Sequence, residues 1–356
     1  MFEGAIIGVN GWASSYLPHL DRLEKEGKLH FGAAVIRNPA KNPEVTEKLR
    51  GQGVRIYPGQ EEMYADFHPD IVFVPTGIEF HEPMTVLALE HNCNVLMEKP
   101  AAASVAAVDN MIAAAKKHPD LFAAVGFQHV YDRNIQHFKK CFAEKLGRPH
   151  KITVKGLWPR ADKYYHRNDW VGKLYSSRGA LVRDSPANNA FAHFINISLY
   201  LSGKDFESST SAEILDAKLW RARQEIETFD SCSLKLKTAT GVDLDIYLSH
   251  TPAETFDPQL RIECENGMVV WQQSHDWFIY SPSGEVIETG EYGNPNAQMF
   301  EDIADKLKNP AQFYCTLEMA KEHTKIIEQL HENYKIIAVP PELVKRNPED
   351  GKLIYP

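Results

Sequence analysis

Apolar residues follow two different rhythms along this chain. In the first, short apolar runs alternate with longer stretches of helical spacing: Ala5 to Val9, Phe31 to Ile36, Val54 to Tyr57, Ile71 to Pro75, Val95 to Met97 and Phe122 to Val125. Such runs, apolar on both faces and separated by helices, are what a helix-covered parallel sheet requires. Ser104 to Lys117 reads as one of those helices, capped by Ser104 and carrying Val105, Val108 and Ile112 at helical spacing. Crossovers of this kind are right-handed.

From residue 127 the rhythm changes. Val242, Leu244, Ile246 and Leu248 alternate with other residues, as do Leu260, Ile262 and Cys264; a period of two marks half-buried antiparallel strands. Asn266-Gly267, ahead of Met268 to Trp271, suits a tight hairpin turn because both residue types tolerate positive φ. Lys151 to Leu157 reads as a further strand. Helices are expected at Asn188 to Leu201 and at Thr316 to Tyr334, the latter bearing Leu317, Ala320, Ile327, Leu330 and Tyr334. The expected fold is therefore α/β followed by α+β. A doubly wound parallel sheet occupies residues 1–126, and residues 127–356 form a second domain on a large open antiparallel sheet. One face of such a sheet is left over, and an apolar uncovered face is buried by self-association, which predicts a homodimer or homotetramer.

Composition narrows the function. A chain of 356 residues exceeds the usual size of one core, which supports two domains. Acidic residues outnumber Lys and Arg by 48 to 39, and the net charge of -9 repels a phosphate backbone, so nucleic acid is not an expected partner. The opening Met1-Phe2-Glu3-Gly4-Ala5 has no basic segment and no long apolar stretch, so neither a signal peptide nor a membrane span is expected, and the reading is cytoplasmic. Five cysteines without a CxxC pair fit reduced thiols. The histidines include no HExxH and no tight cluster with cysteine, so no metal is expected.

Gly8-Val9-Asn10-Gly11-Trp12-Ala13 follows a strand and precedes a helix, the setting in which a glycine-rich turn admits a pyrophosphate. Asn10 and Ala13 stand where the GxGxxG pattern has its second and third glycines; Asn10 tolerates positive φ but crowds a phosphate. After the second strand comes Arg37, where NAD-selective folds usually carry an acidic residue for the ribose hydroxyls. An arginine there can pair with a 2'-phosphate, which tilts the NAD(P) expectation toward NADP; the alternative is a solvent-facing arginine at a strand end.

Thr76 and His81, five residues apart after the fourth strand, precede Glu98-Lys99-Pro100 at the end of the fifth. Gly126-Phe127-Gln128 follows the sixth. In this order the motifs resemble the Gfo/Idh/MocA family, the glucose-fructose oxidoreductase and inositol dehydrogenase group. The resemblance implies a nicotinamide cofactor held by the first domain, with Gly8, Asn10, Gly11, Trp12, Ala13, Arg37, Thr76, His81, Glu98, Lys99 and Gln128 as its contacts. It implies that Lys99 stands beside the substrate and the nicotinamide. A lysine desolvated near a cationic ring also has a lowered pKa that suits proton transfer with an alcohol.

The family's second catalytic element is a helix histidine, typically with an aspartate four residues before it. His193 matches that histidine, but the earlier position is Asn189, a departure that leaves Asp184 as the nearest carboxylate in sequence. Trp158 and Arg160, followed by Tyr164, Tyr165, Arg167 and Asn168, mix aromatic rings with fork-shaped donors, which suits a polyhydroxylated ligand; Arg160 or Arg167 can also hold a carboxylate. Expected substrate contacts are Lys99, Trp158, Arg160, Tyr165, Arg167, Asn168, Asn189 and His193. The expected function is hydride transfer between NAD(P) and a hydroxyl-bearing carbon of a sugar, sugar derivative or cyclitol. Two alternatives stay open: a lyase or glycosidase working through transient oxidation by tightly bound NAD, and a non-catalytic dinucleotide-binding regulator.

Overall fold

The computed structural model describes residues 1–355 and divides into two units. The first contains six parallel strands: β1 (Phe2–Ile7), β2 (Leu29–Val35), β3 (Arg55–Tyr57), β4 (Ile71–Val74), β5 (Asn94–Met97) and β6 (Ala123–Val125). Their order across the sheet is β3-β2-β1-β4-β5-β6. β4, Ile-Val-Phe-Val, is wholly buried because helices cover both faces, which is why its sequence does not alternate. The helix Leu17–Lys25 follows β1 and buries Leu17, Leu20 and Leu23, with Pro18 at its first turn. The strand order reverses between β1 and β4, and in open α/β sheets ligands bind beyond the carboxyl ends of the strands at that point.

The first unit is not one continuous stretch. It takes residues 1–102 and 106–127 and adds residues 296–317, which the boundary read at 126/127 assigns to the second domain. The reason is a helical stripe of Met299, Phe300 and Ile303, all buried. Phe300 lies edge-on to Tyr16 at 4.8 Å and stacks on His19 at 4.6 Å and on Phe73 at 5.8 Å. The amide of Val125 on β6 donates to the carbonyl of Cys315 at 2.9 Å.

The second unit is built on β7 (Pro149–Leu157), β8 (Ala212–Arg221), β9 (Ser231–Thr238), β10 (Asp243–Ser249), β11 (Phe256–Cys264), β12 (Gly267–Gln272), β13 (Trp277–Tyr280), β14 (Val286–Gly290) and β15 (Ile336–Ala338). These form one nine-stranded sheet in the order β14-β13-β12-β11-β7-β10-β9-β8-β15. The sheet is mixed and not purely antiparallel: β10 runs parallel to β7, and β15 parallel to β8. Local alternation marks strands but carries no information about the direction of a partner distant in sequence.

Leu244, Ile246 and Leu248 share one face with Ile152 and Val154 of β7 and with Leu234 and Leu236 of β9, and all are buried. The helix Ala192–Leu201 has every side chain buried; residues 188–191, expected within it, form the turn that leads in. The opposite face of the sheet differs from the apolar one expected. It carries Lys151 paired to Asp245 at 2.8 Å, Lys237 to Asp243 at 2.7 Å and Arg261 to Glu263 at 3.3 Å, with Tyr247 exposed among them. The hairpin is also displaced by one residue. Cys264 pairs with Gly267, so Glu265-Asn266 is the turn, and positive φ falls at Gly267 alone. Among the described residues no helix is long and apolar enough to cross a membrane.

Candidate functional site

The motifs of the first unit lie at the carboxyl ends of its strands. After β1, Gly8 adopts φ +88 and Gly11 φ +59, so the turn depends on two glycines. Asn10, a residue type that tolerates positive φ, is extended here at φ -107. A Cβ built on either Gly8 or Gly11 would meet no atom within 4 Å, so the turn faces open space, as the approach of a pyrophosphate demands. The residues present therefore fit a dinucleotide. Ala13 is buried beneath the turn, and Trp12 is exposed.

Glu98, after β5, is buried, and both of its oxygens are engaged. Oε1 accepts from the Trp12 indole N–H and from the Tyr16 hydroxyl, each at 2.8 Å, and Oε2 accepts from the Lys99 amide at 3.0 Å. Burial raises its pKa above the ordinary value, against the lowering effect of Lys99, Tyr16 and Trp12. The half-buried Lys99 precedes a cis Pro100. His81 is buried, with Nδ1 2.8 Å from the Pro100 carbonyl and Nε2 3.1 Å from the Thr76 carbonyl. It thus ties the loop after β4 to the loop after β5. Both nitrogens face backbone, so its bearing on a cofactor is to position Thr76 and Lys99. Gly126 explains the Gly-Phe-Gln motif: its amide donates to the Met97 carbonyl at 2.7 Å, and a Cβ there would stand 3.1 Å from that oxygen and 3.3 Å from the Tyr16 hydroxyl. Arg37 is exposed just past β2.

In the second unit, His193 sits in the first turn of the helix Ala192–Leu201 with its ring edge-on to His129, centroids 5.1 Å apart. His129 was not anticipated. Burial pushes it down to about 3, so it is neutral, and its Nε2 lies 3.3 Å from the Tyr292 hydroxyl. Gln128, half-buried, immediately precedes it. The amide of Asn189 donates to Asp184 Oδ1 at 2.8 Å and reaches the Tyr164 hydroxyl at 3.4 Å.

Trp158 stacks on Phe191 at 4.9 Å and donates its indole N–H to Asp257 at 2.9 Å. Arg160 and Arg167 both lie over the ring of Tyr164. Tyr165, the expected contact, is instead buried with Val171 and Ile226, its ring 4.4 Å from the Arg223 guanidinium. Successive residues of a helical turn point about 100° apart, so Tyr164 and Tyr165 cannot share a face. Asn168 accepts at Oδ1 from the amides of Trp170 and Val171, at 3.2 and 3.1 Å, and so closes its own loop. Among the described residues His137, Cys141 and Glu288 bring ligand-type atoms within 4.8 Å of one another, but Lys145 pairs with Glu288 there, and a cation already meets the carboxylate.

Comparison with known proteins places these features. Residues 2–127 match the family model described as "Oxidoreductase family, NAD-binding Rossmann fold", Gfo/Idh/MocA. An inositol 2-dehydrogenase/D-chiro-inositol 3-dehydrogenase of Halalkalibacterium halodurans is 25% identical over 205 residues, which are 56% of this chain and 53% of that protein. A myo-inositol 2-dehydrogenase of Thermotoga maritima is 29% identical over 117 residues, 33% of this chain and 34% of that one. The chain therefore spans about half the length of the first of these relatives, and less of the second. In fold it is similar to the WlbA dehydrogenase of Bordetella pertussis, solved with NADH and UDP-GlcNAcA, at TM-score 0.74 and 16% identity over 93% of this chain and 95% of that one. It is similar also to KijD10, a 3-ketoreductase of Actinomadura kijaniata solved with NADP and TDP-benzene, at TM-score 0.75 and 15% identity over 95% and 99% of the two chains. Residues 2–127, with their strand order and the turn at Gly8 and Gly11, are thus the part of the chain that matches the Gfo/Idh/MocA model of oxidoreductases with an NAD-binding Rossmann fold.

Proposed function

We propose that this protein is an NAD(P)-dependent oxidoreductase acting on a CH–OH group of a sugar, sugar derivative or cyclitol, with Lys99 and His193 holding and moving the proton. The observation that carries the reading is the turn at Gly8 and Gly11, open at the carboxyl end of β1, together with the half-buried Lys99 beside the buried Glu98 at the end of β5. The inositol dehydrogenases among its relatives support the substrate class.

When bound, the dinucleotide supplies the acceptor or donor of hydride. The chain's own residues do the rest. Lys99 takes the proton of the substrate hydroxyl in oxidation and returns it in reduction. Asn189, fixed by Asp184, leads into the turn before His193 and sets the polar surroundings from which that imidazole binds or relays a proton. Trp158 and Tyr164 cover the apolar face of a ring, while Arg160, Arg167 and Asn168 meet its polar groups. Arg37 favours NADP. Self-association as a homodimer or homotetramer belongs to the same reading, although the ion-paired sheet face does not offer the apolar surface on which that expectation was argued.

The test is absorbance at 340 nm with NAD or NADP and a panel of inositols, sugars, glycosides and uronates. Cofactor reduction with one substrate class, lost in Lys99→Ala while cofactor binding persists, is the expected result. Product formed without net reduction of added cofactor, or turnover undiminished in Lys99→Ala, overturns it.

A further inference from the structure

Buried arginines in the second unit are paired with carboxylates. Arg223 reaches Asp162 at 2.5 Å and Glu225 at 2.7 Å; Arg183 reaches Glu328 at 2.8 Å and Glu332 at 2.5 Å. Arg160 and Arg167 break the pattern. Among the described residues neither guanidinium donates to a carboxylate or a carbonyl, and Arg160 Nε is buried without a partner. The two cations share one ring instead. The guanidinium of Arg160 is 4.8 Å and that of Arg167 4.2 Å from the Tyr164 centroid, and each also lies over a tryptophan, Trp158 at 5.3 Å and Trp170 at 5.8 Å.

The acids that could neutralise them are committed elsewhere. Asp162, two residues after Arg160, pairs with Arg223 and Arg346. Asp169, two after Arg167, accepts from Ser177. Asp184 takes the Gly172 amide on one oxygen and the Asn189 amide on the other. His250, edge-on to Tyr164, is held well below its ordinary value by burial first and then by Arg160 and Arg167, so it is neutral. Burial also penalises the Arg160 cation, with Arg167 adding to the penalty. Two like charges so placed, one half-buried and neither paired, form a ready site for a planar or tetrahedral oxyanion, which the guanidinium fork binds through two parallel bonds.

We propose that Arg160 and Arg167 bind an anionic group, carboxylate or phosphate, carried by the substrate, so that the protein acts on acidic rather than neutral polyols. The identity of the rest of the ligand rests on the oxidoreductase reading above; the anion site rests on the second unit by itself.

The test is isothermal titration calorimetry of the full chain with D-glucuronate, D-glucose 6-phosphate and D-glucose, at low and at high salt. An acidic ligand should bind about 10-fold or more tighter than glucose, as a charge-assisted hydrogen bond implies. Whichever acid binds tighter identifies the source of the anion. Added salt should erode the preference, and Arg160→Met should bring the ratio of acidic to neutral affinity close to one. Arg167→Gln, at an exposed position, should reduce the ratio as well and serves if Arg160→Met does not fold. Equal binding of all three ligands, a preference that survives both substitutions, or no binding of either acid to the folded wild type overturns the proposal. Neutral sugars turned over without acid preference would leave the oxidoreductase reading standing, whereas acid-selective binding without cofactor reduction would remove that reading and keep the anion site.

Discussion

The side-chain amide of Asn189 donates to the carboxylate of Asp184 across 2.8 Å, and the other oxygen of that carboxylate accepts from the Gly172 amide at 2.6 Å. The family pattern read from the sequence places an aspartate where Asn189 stands. Here a carboxylate reaches the same neighbourhood from a residue five positions earlier, and an amide, which can donate, faces it. An aspartate at 189 would have no proton to offer at neutral pH.

Asn189→Asp should therefore place two carboxyls at hydrogen-bond distance, where they share one proton and the folded pKa of the pair is raised. A group whose folded pKa is raised contributes its stability below the unfolded value and loses it as pH rises through the folded one. The variant should approach wild-type stability near pH 4 and fall behind by roughly 1–3 kcal/mol near pH 8. Urea melts across that range decide it; a deficit that does not change with pH would mean that Asp184 is not the charge facing residue 189.

Glu98 offers a second test with the same sign. Burial raises its folded pKa, so its contribution to stability is present below the ordinary carboxylate range and is lost as pH climbs through the raised value. Glu98→Gln removes that titration and weakens one of the bonds to Trp12, Tyr16 or the Lys99 amide, at a cost of about 1–2 kcal/mol. The variant should be at its greatest disadvantage in acid and recover relative to wild type toward neutral pH. Equilibrium unfolding of both proteins from about pH 4 to pH 8 measures the difference, and a flat difference would show that burial does not shift this carboxyl.

Much of this site was legible because its parts are local. The turn at Gly8 and Gly11, the strand ends that carry Thr76 and Lys99, and Gly126 each answer to a backbone demand that a short motif records. What depended on distant partners was not. Which of Tyr164 and Tyr165 faces outward is decided by Arg223, nearly sixty residues on, whose guanidinium covers Tyr165. Residues 296–317 join the first unit because Phe300 meets Tyr16 and Phe73, a match that neither segment announces alone. The parallel pairing of β7 with β10 escaped for the same reason, since alternation records the buried face and not the direction of the neighbour.

Gly126→Ala should strain a small network and leave the fold intact. Its Cβ would press on the Met97 carbonyl at 3.1 Å and on the Tyr16 hydroxyl at 3.3 Å, the hydroxyl that bonds Glu98. Overpacking of this kind costs about 1–3 kcal/mol. In the Tyr16→Phe background one of the two obstacles is gone, so the alanine should cost less there, a coupling of about 0.5 kcal/mol or more in a double-mutant cycle. Additive penalties would place the strain on the Met97 carbonyl alone.

Cofactor choice can be tested at Arg37. β2 ends at Val35, Ile36 is buried and Arg37 is exposed, so this is the first side chain past the strand that reaches solvent. From there to Glu44 the chain carries Arg37 and Lys41 and no acid, while Asn38 turns its Oδ1 back to the Lys41 amide. A 2'-phosphate would find donors and positive charge, and a ribose diol would find no carboxylate to accept its hydroxyls. Arg37→Ala should weaken NADPH binding by about 10- to 100-fold, the worth of a charge-assisted contact, and leave NADH binding nearly unchanged. Titrations followed by nucleotide fluorescence separate the two cofactors. If the substitution weakens both equally, Arg37 meets a part of the dinucleotide that they share, and the preference for NADP has no basis at this position.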